Sequence, residues 1–322
     1  MNNRSKVCSS ALEAIGNTPL IRLARLDADL PGQIYAKAEF LSPGGSMKDR
    51  IARQMIEDAE RAGKLKPGDT VVEVTSGNTG IGLAIVCAIK GYRFIAVMSE
   101  GNSPERRMIL QALGAKVELV PQGPGGKPGQ VTGQDLKLVE ERGRQIAQEL
   151  QAFFVDQFHN PSNVAAHAAT TGQEIWDQLE GKIDIFLDVV GTAGTFVGVA
   201  STLKAKNPAI RCLAVEPASA PVLAGKPVTS PQHKLQGSSY AMIPGLWRQD
   251  LCDGYLTVTD EEAVATARRL AAEEGLLVGY TAGGNVAAAL KLAKECAPGT
   301  TIVTILCDSG MKYLSSDLFV KS

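Results

Sequence analysis

The sequence has few of the residues that mark several common classes of protein. It contains only three histidines and six cysteines in 322 residues, with neither Cys-x-x-Cys pairs nor metal-ligand spacing, so we expect no metal site and no disulfide framework. A net charge of −1 offers no basic surface to nucleic acid or to an anionic membrane. No apolar run reaches the roughly eighteen residues of a membrane helix, and no apolar segment typical of a secretion signal follows the first residues. These features favour a cytoplasmic protein.

The rare residue types are expected to serve packing. Cys87 and Cys307 lie in apolar runs, which is typical of small core residues. His167 stands alone in a helical pattern, and we expect it to contribute to helix packing rather than to catalysis.

The composition and the pattern that are present indicate an α/β protein. Hydrophobic residues make up 44% of the chain and charged residues 21%, as in ordinary globular proteins. Apolar strand-like segments alternate with helical patterns over residues 34–120 and again over residues 183–306, which is typical of parallel sheets covered by helices. We therefore predict two doubly wound α/β domains, residues 1–150 and 151–322. Residues 1–40 could pack on the second domain.

Lys48 occupies an unusual position for a lysine. Pro43-Gly44-Gly45 ends a predicted strand, Ser46 is a candidate helix cap, and the apolar spacing of residues 51–56 predicts a helix. The positive end of a helix dipole disfavours an ammonium group in the first turn by up to about 1 kcal/mol. The same field favours a neutral amine or an imine, and also a nearby anion. A solvated surface lysine is the alternative that these residues leave open.

Two loops between a predicted strand and a predicted helix are rich in small polar residues. Gly191-Thr192-Ala193-Gly194-Thr195 allows several backbone N–H groups to point at one anion. It lacks the Walker and dinucleotide patterns, so a compact phosphate monoester fits better than a nucleotide. Thr75-Ser76-Gly77-Asn78-Thr79-Gly80 suits a carboxylate, with Asn78 as a donor to a carbonyl or ring oxygen. For both loops, a plain turn that caps the next helix is the alternative. With Lys48, the loops fit a ligand that has a phosphate, a reactive carbonyl and a ring, as pyridoxal phosphate has.

These motifs, in this order, resemble those of the cysteine synthase/cystathionine β-synthase family. The resemblance rests on Ser46-Met47-Lys48-Asp49-Arg50, on the two loops and on residues 157–163 and 170–176, and it extends from Leu12 to Leu318. It implies the fold-type II, tryptophan synthase β-like fold, with pyridoxal phosphate in the cleft between two domains. The implied activity is β-replacement on an activated serine through an aminoacrylate intermediate. Within the family the chain looks most like cysteine synthase, which uses O-acetyl-L-serine and sulfide.

The resemblance also implies a role for individual residues. Lys48 would form the Schiff base with the cofactor and would remove the α-proton of the substrate. Thr281 would face the pyridine nitrogen, where a neutral hydroxyl favours β-elimination over transamination or racemisation. The phosphate would bind to Gly191, Thr192, Ala193, Gly194 and Thr195, the cofactor's 3′-oxygen to Asn78, and the substrate carboxylate to Thr75, Ser76, Gly77, Asn78, Thr79 and Gln157. Gln157 as a surface polar group and Thr281 as a mere helix cap are the alternatives.

The chain departs from the family pattern at four places. Ala193 replaces a usual glycine, and we expect phosphate binding to survive if φ of Ala193 is negative. The usual Gly-Ile-Gly-x-Gly-Phe is Gly237-Ser238-Ser239-Tyr240-Ala241-Met242 here, and the usual Gly-Ile-Ser-Ser-Gly is Gly279-Tyr280-Thr281-Ala282-Gly283. Tyr240 and Tyr280 would add bulk and hydroxyl groups where a second substrate enters. The loop of residues 121–134, rich in proline and glycine, is either a surface loop or a mobile flap.

These departures leave the donor and the nucleophile open. The alternatives are a cystathionine β-synthase, another β-substituted alanine synthase, a serine/threonine deaminase, and an inactive binding protein with this fold. The presence of Lys48 and Asn78 argues against the inactive protein. Family members are usually homodimers, and some bind the C-terminal tail of serine acetyltransferase, so the resemblance implies both partners as expectations.

Overall fold

The structure is a computed structural model that describes residues 7–75, 77–102, 104–124, 131, 133–235, 237–239 and 241–319. The strands are β1 (Leu20–Arg22), β2 (Gln33–Ala38), β3 (Thr70–Val74), β4 (Arg93–Ser99), β5 (Lys116–Val120), β6 (Phe153–Phe154), β7 (Ile185–Val189), β8 (Arg211–Pro217), β9 (Gly254–Val258) and β10 (Thr301–Leu306). The helices are α1 (Lys48–Arg61), α2 (Asn78–Lys90), α3 (Pro104–Ala112), α4 (Gly133–Glu149), α5 (Ser162–Ala166), α6 (Gln173–Gln178), α7 (Gly194–Lys206), α8 (Asp260–Glu274) and α9 (Tyr280–Ala293), with a π-helical segment, His167–Gly172, between α5 and α6. In the part of the chain that the structure describes, no helix combines the length and the apolar character needed to cross a membrane.

The N-terminal unit comprises residues 7–15 and 42–163. Its four strands are all parallel and lie in the order β5-β4-β3-β6. From β3 the chain runs through α2 to β4 on one side, whereas from β5 it runs through α4 to β6 on the other side. The strand order therefore reverses beside β3. Loops that follow β3 and β6 meet at the carboxyl edge of the sheet, where open α/β sheets bind ligands.

The C-terminal unit comprises residues 16–41 and 164–319. Its six strands lie in the order β1-β2-β10-β7-β8-β9, and all neighbours are parallel except the pair β1 and β2. From β7 the chain runs through α7 to β8, but it later reaches β10 on the opposite side of β7. The loop after β7 therefore also lies where the strand order reverses. Leu187, Val215, Val286 and Ile302 belong to the core beside this sheet.

The doubly wound α/β prediction is confirmed, and the observed division differs from the predicted boundary at residue 150. Strand β6 pairs with β3 through Val71↔Phe153, so the N-terminal unit continues to residue 163. Strand β2 pairs with β10 from Gln33↔Thr301 to Ala38↔Leu306, so residues 16–41 belong to the C-terminal unit. Both assignments follow from strand pairing between distant segments, which the local pattern does not reveal.

Two helices of the candidate site approach their neighbours through glycine. A Cβ atom at Gly82 of α2 would lie 3.1 Å from the carbonyl oxygen of Lys48, so α2 packs directly on the first turn of α1. A Cβ atom at Gly198 of α7 would lie 2.6 Å from the carbonyl oxygen of Val164 and 2.7 Å from Cβ of His167. Helix α7 is therefore held tightly against α5 and the π-helical segment.

We expect Gly198→Ala to lower the free energy of unfolding by about 1–3 kcal/mol, because the new methyl group overpacks a contact with backbone atoms. Urea unfolding followed by circular dichroism measures this loss. Gly133→Ala is the matched control, because nothing lies within 4 Å of a Cβ atom at that position. Equal stability of the two variants would show that α7 can move away from α5 without cost.

Candidate active site

Lys48 is the first residue of α1, a helix of 14 residues, and its side chain is partly buried. The helix cap is Met47, one residue later than the predicted cap. The Ser46 hydroxyl nevertheless accepts a hydrogen bond from the N–H of Lys48 at 3.3 Å. The carboxylate of Asp49 accepts the N–H of Gly44 at 2.5 Å, which fixes the turn before the helix. Lys48 is thus held at the positive end of a helix dipole, as predicted.

The loop after β3 is organised by the hydroxyl group of Thr75. Thr75 Oγ1 accepts the N–H of Gly77 at 3.0 Å and the N–H of Gly80 at 2.9 Å. Gly77 adopts φ +139°, a conformation that side chains rarely allow. The Thr75 hydroxyl therefore satisfies two backbone N–H groups at the start of α2, whose cap residue is Gly77. A ligand role for the loop stays a prediction, and Ser76 lies outside the described residues.

Gln157 is brought to the same loop by the short strand β6. Its side chain is 7% exposed, so the interpretation as a surface polar group is wrong. The Thr79 hydroxyl donates to Gln157 Oε1 at 2.6 Å, and Gln157 Nε2 donates to the carbonyl oxygen of Val74 at 2.9 Å. Asn163 Nδ2 donates to the backbone oxygen of Gln157 at 2.8 Å. Three predicted ligand residues, Thr75, Thr79 and Gln157, therefore form one buried polar cluster.

Two charged residues beside this cluster were not predicted from the sequence. Glu73 on β3 is 1% exposed, and its Oε1 accepts the N–H of Gln157 at 3.5 Å. Burial, with a smaller contribution from the negative charge of Asp156, raises the pKa of Glu73 to about 8. Arg106 on α3 is also buried and packs its side-chain carbons against Gly77. A glutamate inside an apolar strand is a signal that sequence reasoning could have used, whereas Arg106 gives no such signal.

The loop after β7 presents the N-terminus of α7, a helix of 13 residues. The first hydrogen bond of the helix runs from the N–H of Val197 to the oxygen of Ala193 at 2.9 Å. The N–H groups of residues 194–196 precede this bond and point along the helix axis toward the loop. Thr192 and Thr195 are buried beside them. Such a helix end, with hydroxyl groups and a favourable dipole, suits a phosphate.

The expected condition for Ala193 is not met. Its φ is +69°, in the left-handed region, rather than negative. The left-handed conformation costs an alanine roughly 1–2 kcal/mol. The backbone nevertheless follows the course that a glycine would take. The same is true of Ser239 and Ala241, with φ of +46° and +54°, in the segment where the resembled family has glycines. Tyr240, between them, lies outside the described residues, as do residues 125–130 and 132 of the predicted flap.

His167 contacts the loop that contains Thr195. Its Nδ1 lies 2.9 Å from Thr171 Oγ1 within the π-helical segment, and its Nε2 lies 3.1 Å from Thr195 Oγ1. The imidazole is fully buried, which agrees with the predicted packing role. The contact with Thr195 was missed, because it joins residues that are 28 positions apart.

Thr281 is the second residue of α9, and the cap of this helix is Gly279. The interpretation of Thr281 as a mere helix cap is therefore wrong. Asn285 fixes the helix to the sheet, since its Oδ1 accepts the N–H of Val189 at 2.6 Å and its Nδ2 donates to Asp188 at 2.9 Å. The N–H of Gly279 also donates to the oxygen of Asp308 at 3.1 Å. Both contacts hold the start of α9 near the carboxyl edge of β7.

Tyr280 has a different environment from the one predicted. Its ring is 2% exposed and packs edge-on against Tyr313, with 5.3 Å between ring centroids. Its hydroxyl donates to Asp317 Oδ1 at 2.5 Å and lies 3.0 Å from Ser316 Oγ. Asp317 also pairs with Lys234. Tyr280 therefore holds the C-terminal segment in place, rather than offering its hydroxyl to a second substrate.

The chemistry of these side chains and helix ends indicates a class of protein. No group of three His, Cys, Asp or Glu side chains that could hold a metal ion occurs within the described residues. Each unit by itself has groups that fit part of pyridoxal phosphate: in the C-terminal unit a helix N-terminus with hydroxyl groups suits a dianionic phosphate, and in the N-terminal unit an amine at a helix start suits an aldehyde. The polar cluster around Thr79 suits the carboxylate of an amino acid. These features are those of a pyridoxal-phosphate-dependent α/β enzyme.

Comparison with known proteins identifies the family. A family profile described as "Pyridoxal-phosphate dependent enzyme" matches residues 11–308. A curated cysteine synthase of Staphylococcus aureus is 44% identical over 98% of this chain and 98% of its own length. The crystal structure of O-ureido-L-serine synthase has a TM-score of 0.89 and 41% identity, covering 98% and 96% of the two chains. An O-acetylserine-dependent cystathionine β-synthase from Helicobacter pylori has a TM-score of 0.89 and 34% identity, covering 98% and 100%.

The chain belongs to the family of pyridoxal-phosphate-dependent enzymes. The family resemblance, the fold, the enzyme class and the cofactor predicted from the sequence are thereby confirmed. The roles of individual residues stay predictions.

We expect the stability of the wild-type protein to fall, relative to Glu73→Gln, as the pH rises from about 4.5 to about 8. The unfolded chain releases the Glu73 proton near the ordinary pKa of 4.5, whereas the folded chain keeps it until about pH 8. Folding is therefore penalised progressively in this window, by on the order of 2–5 kcal/mol in total. Urea unfolding at several pH values measures the difference.

Glu118→Gln is the control for this series, because Glu118 lies on the same sheet but is half-exposed and paired with Arg142. Its stability should follow that of the wild type over the whole pH range. A difference between wild type and Glu73→Gln that stays constant with pH would contradict the assignment of this titration to Glu73.

Proposed function

We propose that this enzyme replaces the β-substituent of an activated L-serine, with O-acetyl-L-serine as donor and sulfide as nucleophile, so that it makes cysteine. The observation that carries the proposal is the position of Lys48 at the first residue of α1, in a chain 44% identical to a cysteine synthase over nearly its whole length. When bound, pyridoxal phosphate condenses with an amine and withdraws electrons from the α-carbon of an amino acid.

Lys48 has two tasks in this proposal. Its amine holds the cofactor before the substrate arrives, and afterwards it takes the proton from the α-carbon of the substrate. The N-terminus of α1 supports both tasks, because a helix dipole disfavours the charged ammonium and favours the neutral amine. The N–H of Gly44, bound to Asp49, keeps the preceding turn in place while Lys48 changes partners.

The Thr75–Gly80 loop and Gln157 bind the substrate carboxylate. The start of α2 supplies backbone N–H groups and the favourable end of its dipole. Gln157 has two amide N–H groups, of which one donates to Val74, and the other suits a carboxylate oxygen. Thr79 fixes the orientation of the amide by donating to its oxygen. Closure of this loop over the carboxylate would exclude water from the reacting carbon.

The C-terminal unit contributes phosphate binding and control of the ring. Residues 191–195 hold the phosphate through backbone N–H groups and the hydroxyls of Thr192 and Thr195. From the N-terminal unit, Asn78 at the start of α2 bonds the 3′-oxygen. Thr281 faces the pyridine nitrogen with a neutral hydroxyl, which does not keep the nitrogen protonated as a carboxylate does. Loss of a leaving group from the β-carbon is therefore favoured over reactions that need a long-lived α-carbanion.

A second candidate is β-replacement with a different nucleophile. The similarity to O-ureido-L-serine synthase, at 41% identity, is nearly as high as the similarity to cysteine synthase. At residues 237–242 and 279–283 this chain departs from the usual family pattern, and the resemblance implies that a second substrate enters near these segments. Cystathionine formation from homocysteine belongs to the same group of reactions.

We further propose a cytoplasmic homodimer, which could bind the C-terminal tail of serine acetyltransferase. The homodimer and the serine acetyltransferase partner are proposed because both occur in the resembled family. The burial of Cys87 and Cys307 and the absence of a disulfide among the described residues agree with a reducing compartment.

We expect Lys48→Ala to lose the visible absorption band of the lysine-bound cofactor and to lower kcat/KM by at least about a thousandfold, because the amine and the α-proton base are both removed. Absorption spectra and steady-state kinetics of the reconstituted protein measure the two effects. Lys64→Ala, which changes an exposed lysine of the same unit, should retain both properties. A full absorption band in Lys48→Ala would refute this assignment.

The donor and the nucleophile are tested separately with the holoenzyme. O-Acetyl-L-serine, O-phospho-L-serine and L-serine are added one at a time, and the spectral change and release of the leaving group are followed. Sulfide, homocysteine or hydroxyurea is then added to the reactive donor, and the amino-acid product is identified by mass spectrometry. We expect O-acetyl-L-serine and sulfide to give cysteine fastest. Preference for hydroxyurea or homocysteine would instead establish the second candidate.

A further inference from the structure

Glu73 is a buried carboxyl group whose place in the fold is not explained by packing alone. It is the fourth of the five residues of β3, two residues before Thr75, and it is 1% exposed. Its Oε1 accepts the N–H of Gln157 in a long contact of 3.5 Å. Its Oε2 has no hydrogen-bond partner among the described residues. A buried polar atom in this condition costs stability, so an uncharged aliphatic side chain would pack here at lower cost.

The contacts of Glu73 lead directly to the proposed carboxylate ligands. The residue that it contacts, Gln157, accepts a hydrogen bond from Thr79 at 2.6 Å and donates one to Val74 at 2.9 Å. Glu73 and Val74 are neighbours on the strand that enters the Thr75–Gly80 loop. Glu73 therefore contacts the backbone of Gln157 and itself belongs to the strand that leads into the loop.

The charges around Glu73 do not compensate a carboxylate at this position. The charge that acts on Glu73 is that of Asp156, which opposes the ionisation of Glu73. Arg144 on α4 and His159 already bind the two oxygens of Asp156, at 3.2 and 2.9 Å. Arg106 on α3 lies against Gly77, on the loop itself. With its pKa raised to about 8, the side chain is mainly protonated at pH 7, and on ionisation it adds a negative charge beside Gln157.

We propose that Glu73 is a positioning residue, which acts through Gln157 to set how tightly the Thr75–Gly80 loop binds the carboxylate of the amino-acid substrate. The inference rests on the proposed function, because it needs the loop to be the carboxylate site. In either charge state Glu73 accepts the N–H of Gln157, which holds Gln157 where its amide oxygen meets the Thr79 hydroxyl. When Glu73 ionises, its charge repels the bound carboxylate and weakens substrate binding.

The test compares binding of an unreactive amino acid by the wild-type holoenzyme, Glu73→Gln and Glu118→Gln. L-Alanine is the probe, because it has a carboxylate but no leaving group on the β-carbon. Its dissociation constant is measured by absorbance titration at about pH 7 and at about pH 9, on either side of the expected titration. Effects of pH on the probe and on the cofactor are common to the three proteins and cancel in the comparison.

We expect the ratio of the dissociation constants at the two pH values to be about tenfold larger for wild type and Glu118→Gln than for Glu73→Gln. With O-acetyl-L-serine, the same difference should appear in KM and not in kcat, because Glu73 does not touch the reacting atoms. A merely structural role would change kcat or stability without changing this ratio. Equal ratios in wild type and Glu73→Gln would overturn the inference and leave the proposed function intact.

Asp156→Asn provides a second, independent variant. Asp156 has φ +55°, which asparagine tolerates well, so the backbone should keep its course. Removal of its negative charge makes the ionisation of Glu73 easier, so the pH at which L-alanine binding weakens should fall. A midpoint that is unchanged or higher would overturn the inference. If wild-type holoenzyme binds neither L-alanine nor O-acetyl-L-serine, the proposed function fails, and this inference fails with it.

Discussion

The N–H groups at the start of helices α2 and α7 impose the constraint on which the rest of the site depends. The first N–H groups of a helix have no partner within it, so a side chain or a ligand must satisfy them. At α2 the Thr75 hydroxyl satisfies two of them, and Gln157 joins the same turn through Thr79. At α7 the cap is Ala193, whose side chain cannot accept a hydrogen bond. An anion bound at α7, such as the phosphate proposed above, would fulfil there what Thr75 fulfils at α2.

Strand order explains why these helix starts lie at the sheet edge where open α/β sheets generally bind ligands. In each unit the strand before the loop, β3 or β7, is the one beside which the chain changes direction. The helices on the two sides then diverge and leave the carboxyl edge open. Glycine at position 82 lets α2 approach the turn of Lys48, and glycine at position 198 lets α7 approach the helix of His167. Close helix packing thus fixes the groups that the strand order brings to the edge.

Local signals allowed the sequence to predict the helix that starts at Lys48 and the loops that precede α2 and α7. Proline, glycine and apolar spacing act within a few residues, so these features are legible without the fold. The contacts of Gln157 with Thr79 and of His167 with Thr195 join segments 78 and 28 residues apart. They depend on strand order and helix packing, and no local pattern encodes them. The sequence likewise shows that Glu73 lies in an apolar strand, but it does not show that Gln157 is its partner.

Ala193, Ser239 and Ala241 show how the fold overrides local preference. Each has a positive φ although its side chain disfavours it, and each stands where the resembled family has glycine. Ser239 stays in place because its N–H and its hydroxyl both donate to the oxygen of Val190, at 3.0 and 3.1 Å. The hydrogen bonds therefore maintain the backbone course, while the replacements add side-chain atoms beside it. Such replacements keep the course of the backbone and alter only the surface beside it. Under the proposed function, replacements of this kind change the surroundings of the second substrate more readily than the binding of the cofactor.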